Sequence, residues 1–259
     1  MDATLAAIYR YPVKGLSPEP LAEVTLSPGE CLPQDRRFAV ALGTTGFDPN
    51  RPEWLPKTAF LMLMRDERLA RLSTRFDPTT GLLSIETDGR ALLTEAIAEP
   101  EGGRRIAAFL EDFLGGAVRG PLRVVMASGH AFADARRKPN ATTGQYVSLI
   151  NLASIRALEA TVGEPVDPLR FRANCYCDGL PAWRELDWLG GEIGIGDVRL
   201  RPVAAITRCA ATEVNPRTAE RDLAVVAALE RHFGHNLMGI YTEVVIGGSI
   251  AIGDPLATL

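Results

Sequence analysis

Cysteine is scarce in this chain. There are four in 259 residues, with no CxxC pair and no Cys/His cluster. That excludes a disulfide-stapled scaffold, a zinc finger and an iron–sulfur module, which need cysteines in number or at fixed short spacings. The three histidines are scattered. His232 and His235 flank Gly234 at an expected helix end, where a cation suits the dipole, and no third ligand accompanies them. Basic residues form no block: 28 Lys+Arg stand against 32 Asp+Glu, a net charge of −4, which excludes general nucleic-acid binding. No apolar run reaches the ~18 residues of a membrane span. The opening MDATLAAIYRYPVKG has no basic stretch before an apolar run, so it does not read as a signal peptide. Gly190-Gly191 and Gly247-Gly248 fit neither a dinucleotide fingerprint nor a P-loop, and no GxSxG elbow is present. A reducing, cytoplasmic setting with free thiols is the expectation.

What the chain does have is punctuation. Its 24 glycines and 18 prolines are spread throughout and bound short apolar stretches. Residues 4–11, 21–26, 37–42, 82–87 and 122–127 read as strands. Asp77-Pro78-Thr79-Thr80-Gly81 is a turn, and suggests a hairpin. Residues 102–114 place Ile106, Phe109, Leu110, Phe113 and Leu114 at helical spacing, ended by Gly115-Gly116. Residues 151–162 read as a helix with Asn151 as its N-cap, and 219–233 as another. Residues 192–200 form a hairpin about Gly196-Asp197, and 241–246 pair with 249–252 around Gly247-Gly248. The expected fold class is mixed α/β but predominantly β, with two β-barrel-like domains and a few helices. The Gly/Pro-rich segment 115–121 divides them into 1–117 and 118–259.

Cys209 follows the strand-like run ending at Ile206 and sits beside Thr207 and Arg208. A neighbouring arginine lowers a thiol's pKa, and the thiolate is both nucleophile and soft metal ligand. The opposing reading is a buried structural cysteine. Cys175 and Cys177 alternate, so on a strand they share a face, and a disulfide between them would be strained; both read as free thiols. Cations fall at turns. Tyr11-Pro12-Val13-Lys14-Gly15 puts Lys14 before a glycine that lets backbone N–H groups approach an anion. Gln34-Asp35-Arg36-Arg37-Phe38 and Arg170-Phe171-Arg172-Ala173-Asn174 supply further arginines and an amide. Arginine grips phosphate as a planar fork and lysine as a point charge, but each cluster alone is more often a solvated surface face, and a phosphate site needs several to converge.

Taken in order, these landmarks, with Ile195-Gly196-Asp197-Val198, Thr207-Arg208-Cys209 and the closing Gly248-Ser249-Ile250-Ala251-Ile252-Gly253-Asp254-Pro255, resemble one family over nearly the whole chain. It is the MOSC-domain family (molybdenum cofactor sulfurase C-terminal domain) with its N-terminal β-barrel companion, and within it the amidoxime-reducing class. The resemblance implies the molybdenum cofactor (Mo-molybdopterin), not pyridoxal phosphate. Cys209 is then the protein ligand to molybdenum and the catalytic residue. Lys14, Gly15, Arg36, Arg172, Asn174, Thr207, Arg208 and Tyr241 are placed around the pterin and phosphate. The implied activity is reduction of small N-hydroxylated compounds such as amidoximes, hydroxylamines and N-oxides. Ala173 stands where the family has proline, so backbone rigidity there is reduced. The chain ends at Leu259 without the ferredoxin-type cysteine set of some bacterial relatives. Electrons are therefore expected from separate proteins such as a ferredoxin, a flavoprotein or a cytochrome b5-type reductase chain. Two alternatives remain: a sulfur carrier or cofactor-handling protein bearing a persulfide on Cys209, and a degenerate binding protein with an empty site. Convergence of Lys14, Arg36 and Arg172 on Cys209 favours the cofactor; an isolated, exposed Cys209 favours the carrier.

Overall fold

A computed structural model describes residues 3–118, 120–136 and 144–259; Arg119, within the expected junction, lies outside the described residues. In chain order the strands and helices are β1 (Ala3–Arg10), β2 (Glu19–Leu21), β3 (Glu23–Leu26), β4 (Phe38–Ala41), β5 (Ser73–Phe76), β6 (Leu82–Thr87), β7 (Arg90–Ala96), α1 (Pro100–Leu114), β8 (Arg123–Met126), β9 (Val147–Asn151), α2 (Leu152–Val162), β10 (Cys175–Asp178), β11 (Ile193–Ile195), β12 (Val198–Thr207), α3 (Val225–Phe233), β13 (Leu237–Ile246), β14 (Gly248–Ala251) and β15 (Pro255–Thr258). The fold is mostly β, as its composition suggested, with three α-helices among the described residues.

Seven strands close into a barrel in the order β1-β10-β9-β13-β12-β11-β15 and back to β1. Closure removes the free edges an open sheet would present. One edge of β1 pairs with β10, while the other pairs with β15 at Ala3–Thr4 and with β2 from Ile8 to Arg10. A strand from the start of the chain therefore completes a barrel built from its second half. Inward side chains such as Leu5, Ile8, Leu149, Cys175, Cys177, Ile193, Leu200 and Val244 fill it and are fully or almost fully buried. Each such aliphatic side chain is worth about 1.5–3 kcal/mol. Gly239 (φ +77°) lets β13 lie close on β9, where a Cβ would come within 2.4 Å of Ile150 Cγ1 and 2.6 Å of the Leu149 carbonyl oxygen.

The meander β5-β6-β7, the ribbon β4-β8 and α1 enclose a second core around Phe38, Leu69, Phe76, Ile85, Ile106 and Leu110. Helix α1 begins with Pro100 in its first turn and stops at Gly115 (φ +57°). Its apolar stripe packs on β7 and β8. Outside the barrel, α2 and α3 cover Ile150, Phe171 and Tyr176. Asn151 caps α2 by accepting from the Ala153 N–H at 3.0 Å, a contact of about 1 kcal/mol.

Two local expectations fail. The last helix starts at Val225, not Ala219. Asn215 accepts from the Arg217 and Thr218 N–H groups, Ala219 is left-handed (φ +60°), and Val214 bridges to Arg221, so residues 214–224 fold as a loop. The expected hairpin around Gly247-Gly248 does not form either. The strand β14 leaves β13 and pairs with β3, matching Gly248 to Leu26 and Ala251 to Glu23. Gly247 permits this, because a Cβ there would lie 2.5 Å from the Leu26 carbonyl oxygen.

Candidate functional site

Strand register brings distant residues to one end of the barrel. Thr207 ends β12 and pairs with Leu237 at the start of β13; Tyr241 of β13 pairs with Ser148 at the start of β9; Cys175 begins β10 and pairs with Leu149 and with Ile8 near the end of β1. The loops leaving these ends carry Lys14, Arg172, Arg208 and Cys209. Asp35 and Arg36, residues between Trp54 and Met64, and residues 132–136 come to the same place. Together they line a cleft of about 640 Å³. All nine residues singled out in the sequence line it: Lys14, Gly15, Arg36, Arg172, Asn174, Thr207, Arg208, Cys209 and Tyr241.

Cys209 is half-buried and starts a short 3-10 turn, Ala210–Glu213. Its carbonyl accepts from the Thr212 N–H at 3.0 Å and from the Thr212 hydroxyl at 2.9 Å. The other thiols have different surroundings. Burial pushes Cys31 and Cys175 up to about 12 and Cys177 higher still, so all three stay protonated at neutral pH. They are free, as the alternation of Cys175 and Cys177 suggested.

The cations divide into paired and unpaired. Lys14 is buried and donates to Asp134 and, at 2.9 Å, to the Phe132 carbonyl. Burial pulls its pKa down, against the pull of Asp134. Arg36 sits at φ +47° and donates to Asp35 at 2.5 Å and to the Arg172 carbonyl at 2.7 Å. Burial opposes its charge most strongly, but Asp35 together with Tyr11 and Tyr241 outweighs that and holds the pKa above its usual value. Arg172, also left-handed (φ +53°), has no carboxylate partner, and burial lowers it to about 10. Arg208 spends its nitrogens on carbonyls, those of Met238 (2.9 and 2.5 Å) and Phe171 (2.8 Å), and burial lowers it too. Among the described residues, neither Arg172 nor Arg208 forms an ion pair. Two largely desolvated cations without a carboxylate in direct contact give the cleft a positive charge that an anion could offset.

Other nominated residues support the shape. Gly15 (φ +83°) lies against Leu61, where a Cβ would sit 2.9 Å from the carbonyl oxygen. The Asn174 amide is already used: its Oδ1 accepts from the Ser148 N–H (3.1 Å) and hydroxyl (2.8 Å), and its Nδ2 donates to the Tyr9 carbonyl (3.2 Å). It fixes β1 to β9 at the cleft floor. Tyr241 is half-buried beside Tyr146, and desolvation raises its pKa, so its hydroxyl keeps its proton at neutral pH.

Sequence reasoning missed several residues here. The Tyr11 ring carries both the Arg36 and Arg172 guanidinium groups at 4.4 Å from its centroid. Asp35 and Asp134 supply the counter-charges. Arg170, which the sequence offered as one more turn cation, is instead buried and braces the turn after Cys209, donating to the Glu213 carbonyl (3.1 Å) and to Asp222 (2.6 Å). Tyr11 and Asp35 lie inside motifs that were singled out, so adjacency to Lys14 and Arg36 was the available signal. Asp134 and Trp54 had none.

Among the described residues no three His, Cys, Asp or Glu side chains gather as a metal nest. No helix among the described residues is long and apolar enough to cross a membrane.

Comparison with known proteins agrees with this architecture. A family model described as the MOSC domain matches residues 130–257, and one described as the MOSC N-terminal beta barrel domain matches residues 2–118. The chain belongs to the MOSC-domain family with its N-terminal β-barrel companion. It is similar to the mitochondrial amidoxime-reducing component 1 of Xenopus laevis, 30% identical over 122 residues, covering 42% of this chain and 35% of that protein. It is also similar to the molybdenum cofactor sulfurase of Caenorhabditis briggsae, 26% identical over 249 residues, covering 92% of this chain and 33% of that protein. The chain spans about a third of the length of these curated relatives. Among solved structures, the YUAD protein of Bacillus subtilis aligns with a TM-score of 0.44 at 13% identity, covering 99% of this chain and 94% of that one.

Proposed function

We propose that the chain is a molybdenum-cofactor oxidoreductase that reduces N-hydroxylated compounds such as amidoximes, hydroxylamines and N-oxides. The observation that carries this reading is the pair of unpaired arginines, Arg172 and Arg208, in the same cleft as a half-buried thiol. The residues fit a phosphorylated pterin with a thiophilic metal. Arg172 and Arg208 would take the phosphate and pterin oxygens, where an anion supplies the charge that no carboxylate provides. Cys209 Sγ would be the protein ligand. When bound, the cofactor supplies two-electron redox chemistry, and the protein supplies binding and electrostatics. Lys14 and Arg36, neutralised by Asp134 and Asp35, add directed N–H donors with little extra net charge. Tyr241 holds a proton on its hydroxyl facing the cleft and can donate it in a hydrogen bond. Electrons would come from a separate electron-transfer protein. An isolated Cys209 would have supported a persulfide carrier; sharing its cleft with Lys14, Arg36 and Arg172 supports the cofactor instead.

The test is elemental and pterin analysis of protein made in cells competent for molybdenum-cofactor synthesis, then an N-hydroxy-reductase assay with a chemical reductant. Stoichiometric molybdenum is expected, with Cys209→Ala losing the metal or the turnover. Full loading with unchanged turnover in that variant would overturn the role of Cys209.

A further inference from the structure

Leu63 and Met64 line the same cleft as the Cys209 turn, and they come from the first half of the chain, 145 or more positions away in sequence. One side chain joins the two segments. Arg221 donates to the Ala210 carbonyl (3.0 Å), immediately after Cys209, and to the Leu63 (3.2 Å) and Met64 (2.9 Å) carbonyls. It also faces Glu67 at 3.4 Å and Glu213 at 3.9 Å. Its backbone is held in place independently. Val214 bridges to Arg221, the Asn215 N–H donates to the Glu220 carbonyl at 2.7 Å, and neighbouring Asp222 is gripped by buried Arg170. A rigid fork with five donors can span acceptors on two separate segments, which a flexible ammonium cannot do equally well.

We infer that Arg221 is a positioning residue that staples the Cys209 turn to the Leu63–Met64 wall and so sets the width of the cleft, and with it the size of molecule that reaches Cys209. The inference extends the reading of the cleft as the active site but needs no metal to hold. Arg221 lies behind the walls, does not line the cleft, and its side chain is about a third exposed at 32%, so its loss opens a gap without removing a ligand-binding group.

The experiment uses metal-free full-length protein and two reagents with the same iodoacetamide group, one unsubstituted and one carrying fluorescein. Labelling of Cys209 is followed by peptide mass spectrometry, and Cys31, Cys175 and Cys177 are read in the same digests as internal controls. The wild type should react faster with the small reagent than with the large one. Arg221→Met should lose most of that discrimination at Cys209 alone, and Arg221→Lys, which keeps the charge and some of the donors, should restore part of it. Two results overturn the proposal: the same small-to-large ratio at Cys209 in wild type and Arg221→Met, or faster labelling of all four cysteines together, which marks general loosening. Failure of the molybdenum reading would leave this outcome unchanged, because no step depends on the metal.

Discussion

Replacing Arg172 with methionine measures what an unpaired cation costs this fold. Burial lowers the Arg172 pKa from 12.5 to about 10. At about 1.36 kcal/mol per pKa unit, that disfavours the charged side chain in the folded chain by about 3 kcal/mol. The figure is an upper bound, because the side chain opens onto the cleft and water screens part of the penalty. Methionine also forfeits the contact with the Tyr11 ring at 4.4 Å, worth about 1–2 kcal/mol where desolvated. The balance favours the ligand-free variant by about 1–2 kcal/mol. At roughly 2–4 °C per kcal/mol for chains of this size, its Tm should rise by roughly 2–8 °C. The sign fixes the pH dependence as well. A cation whose folded pKa is depressed imposes its full penalty below that pKa and is relieved only as pH climbs through about 10, so the gain should be flat across roughly pH 6–9.

An anion should reverse the ranking. Inorganic pyrophosphate bound by Arg172 and Arg208 stabilises the wild type by RT ln(1 + [L]/Kd), about 2.7 kcal/mol at a hundredfold excess over Kd. The variant has one of the two unpaired cations left and should gain less. Differential scanning fluorimetry of metal-free protein in chloride and in pyrophosphate reads both effects. A variant that melts below the wild type in chloride, and gains as much from pyrophosphate, would refute the view that Arg172 is held uncompensated for an anionic ligand.

Two other substitutions test buried polar groups. Glu185 is fully buried, and one of its oxygens accepts from the Ser154 hydroxyl at 2.8 Å. Burial raises its pKa, so its charge destabilises the fold as pH rises above the ordinary value of 4.5 and through the folded pKa. Glu185→Gln should therefore be the more stable protein at neutral pH, with the advantage vanishing below about pH 4.5 in urea titrations at stepped pH; a difference independent of pH contradicts this. Asn174→Ala leaves the Ser148 N–H and the Tyr9 carbonyl without their partner. At about 1–3 kcal/mol per buried unsatisfied group, it should lose about 2–6 kcal/mol by urea denaturation, and an unchanged midpoint would show that Asn174 carries no structural role.

Local pattern explains where sequence reading succeeded. The turn over residues 77–81 with the strand 82–87, the hairpin about Gly196-Asp197 and the Asn151-capped helix are each specified by residues within about a dozen positions of one another. Pairings that close the barrel are not local. The strands β1 and β10 meet across some 170 residues, and β3 meets β14 across more than 220, with nothing in either segment naming its partner. The false hairpin at Gly247-Gly248 came from the same gap: two glycines between strands signal a turn, but here they serve a crossover onto Leu26. For the site, resemblance carried the reading. Bottom-up reasoning could nominate Lys14, Arg36 and Arg172 separately, but their sharing one cleft with Cys209 depends on non-local register.

The distribution of thiols and charges follows from the barrel itself. A closed barrel of this size fills its interior with side chains and leaves no solvated room for a charged group. Cys175 and Cys177, on adjacent inward positions of β10, are sealed as neutral thiols by that packing. A partly exposed thiol and cations without ion pairs can be carried only where strands end and backbone turns outward. Thr207-Arg208-Cys209 leaves β12 at such a point, Arg172 precedes β10, and Lys14 follows β1. The barrel end then needs a further wall to keep those cations half-shielded from water, since full exposure would screen them to little effect. The first half of the chain supplies it through Asp35, Arg36 and the Trp54–Met64 segment. A site of this kind therefore requires both halves, and a substitution that separates the walls should weaken anion binding even when every cation is retained.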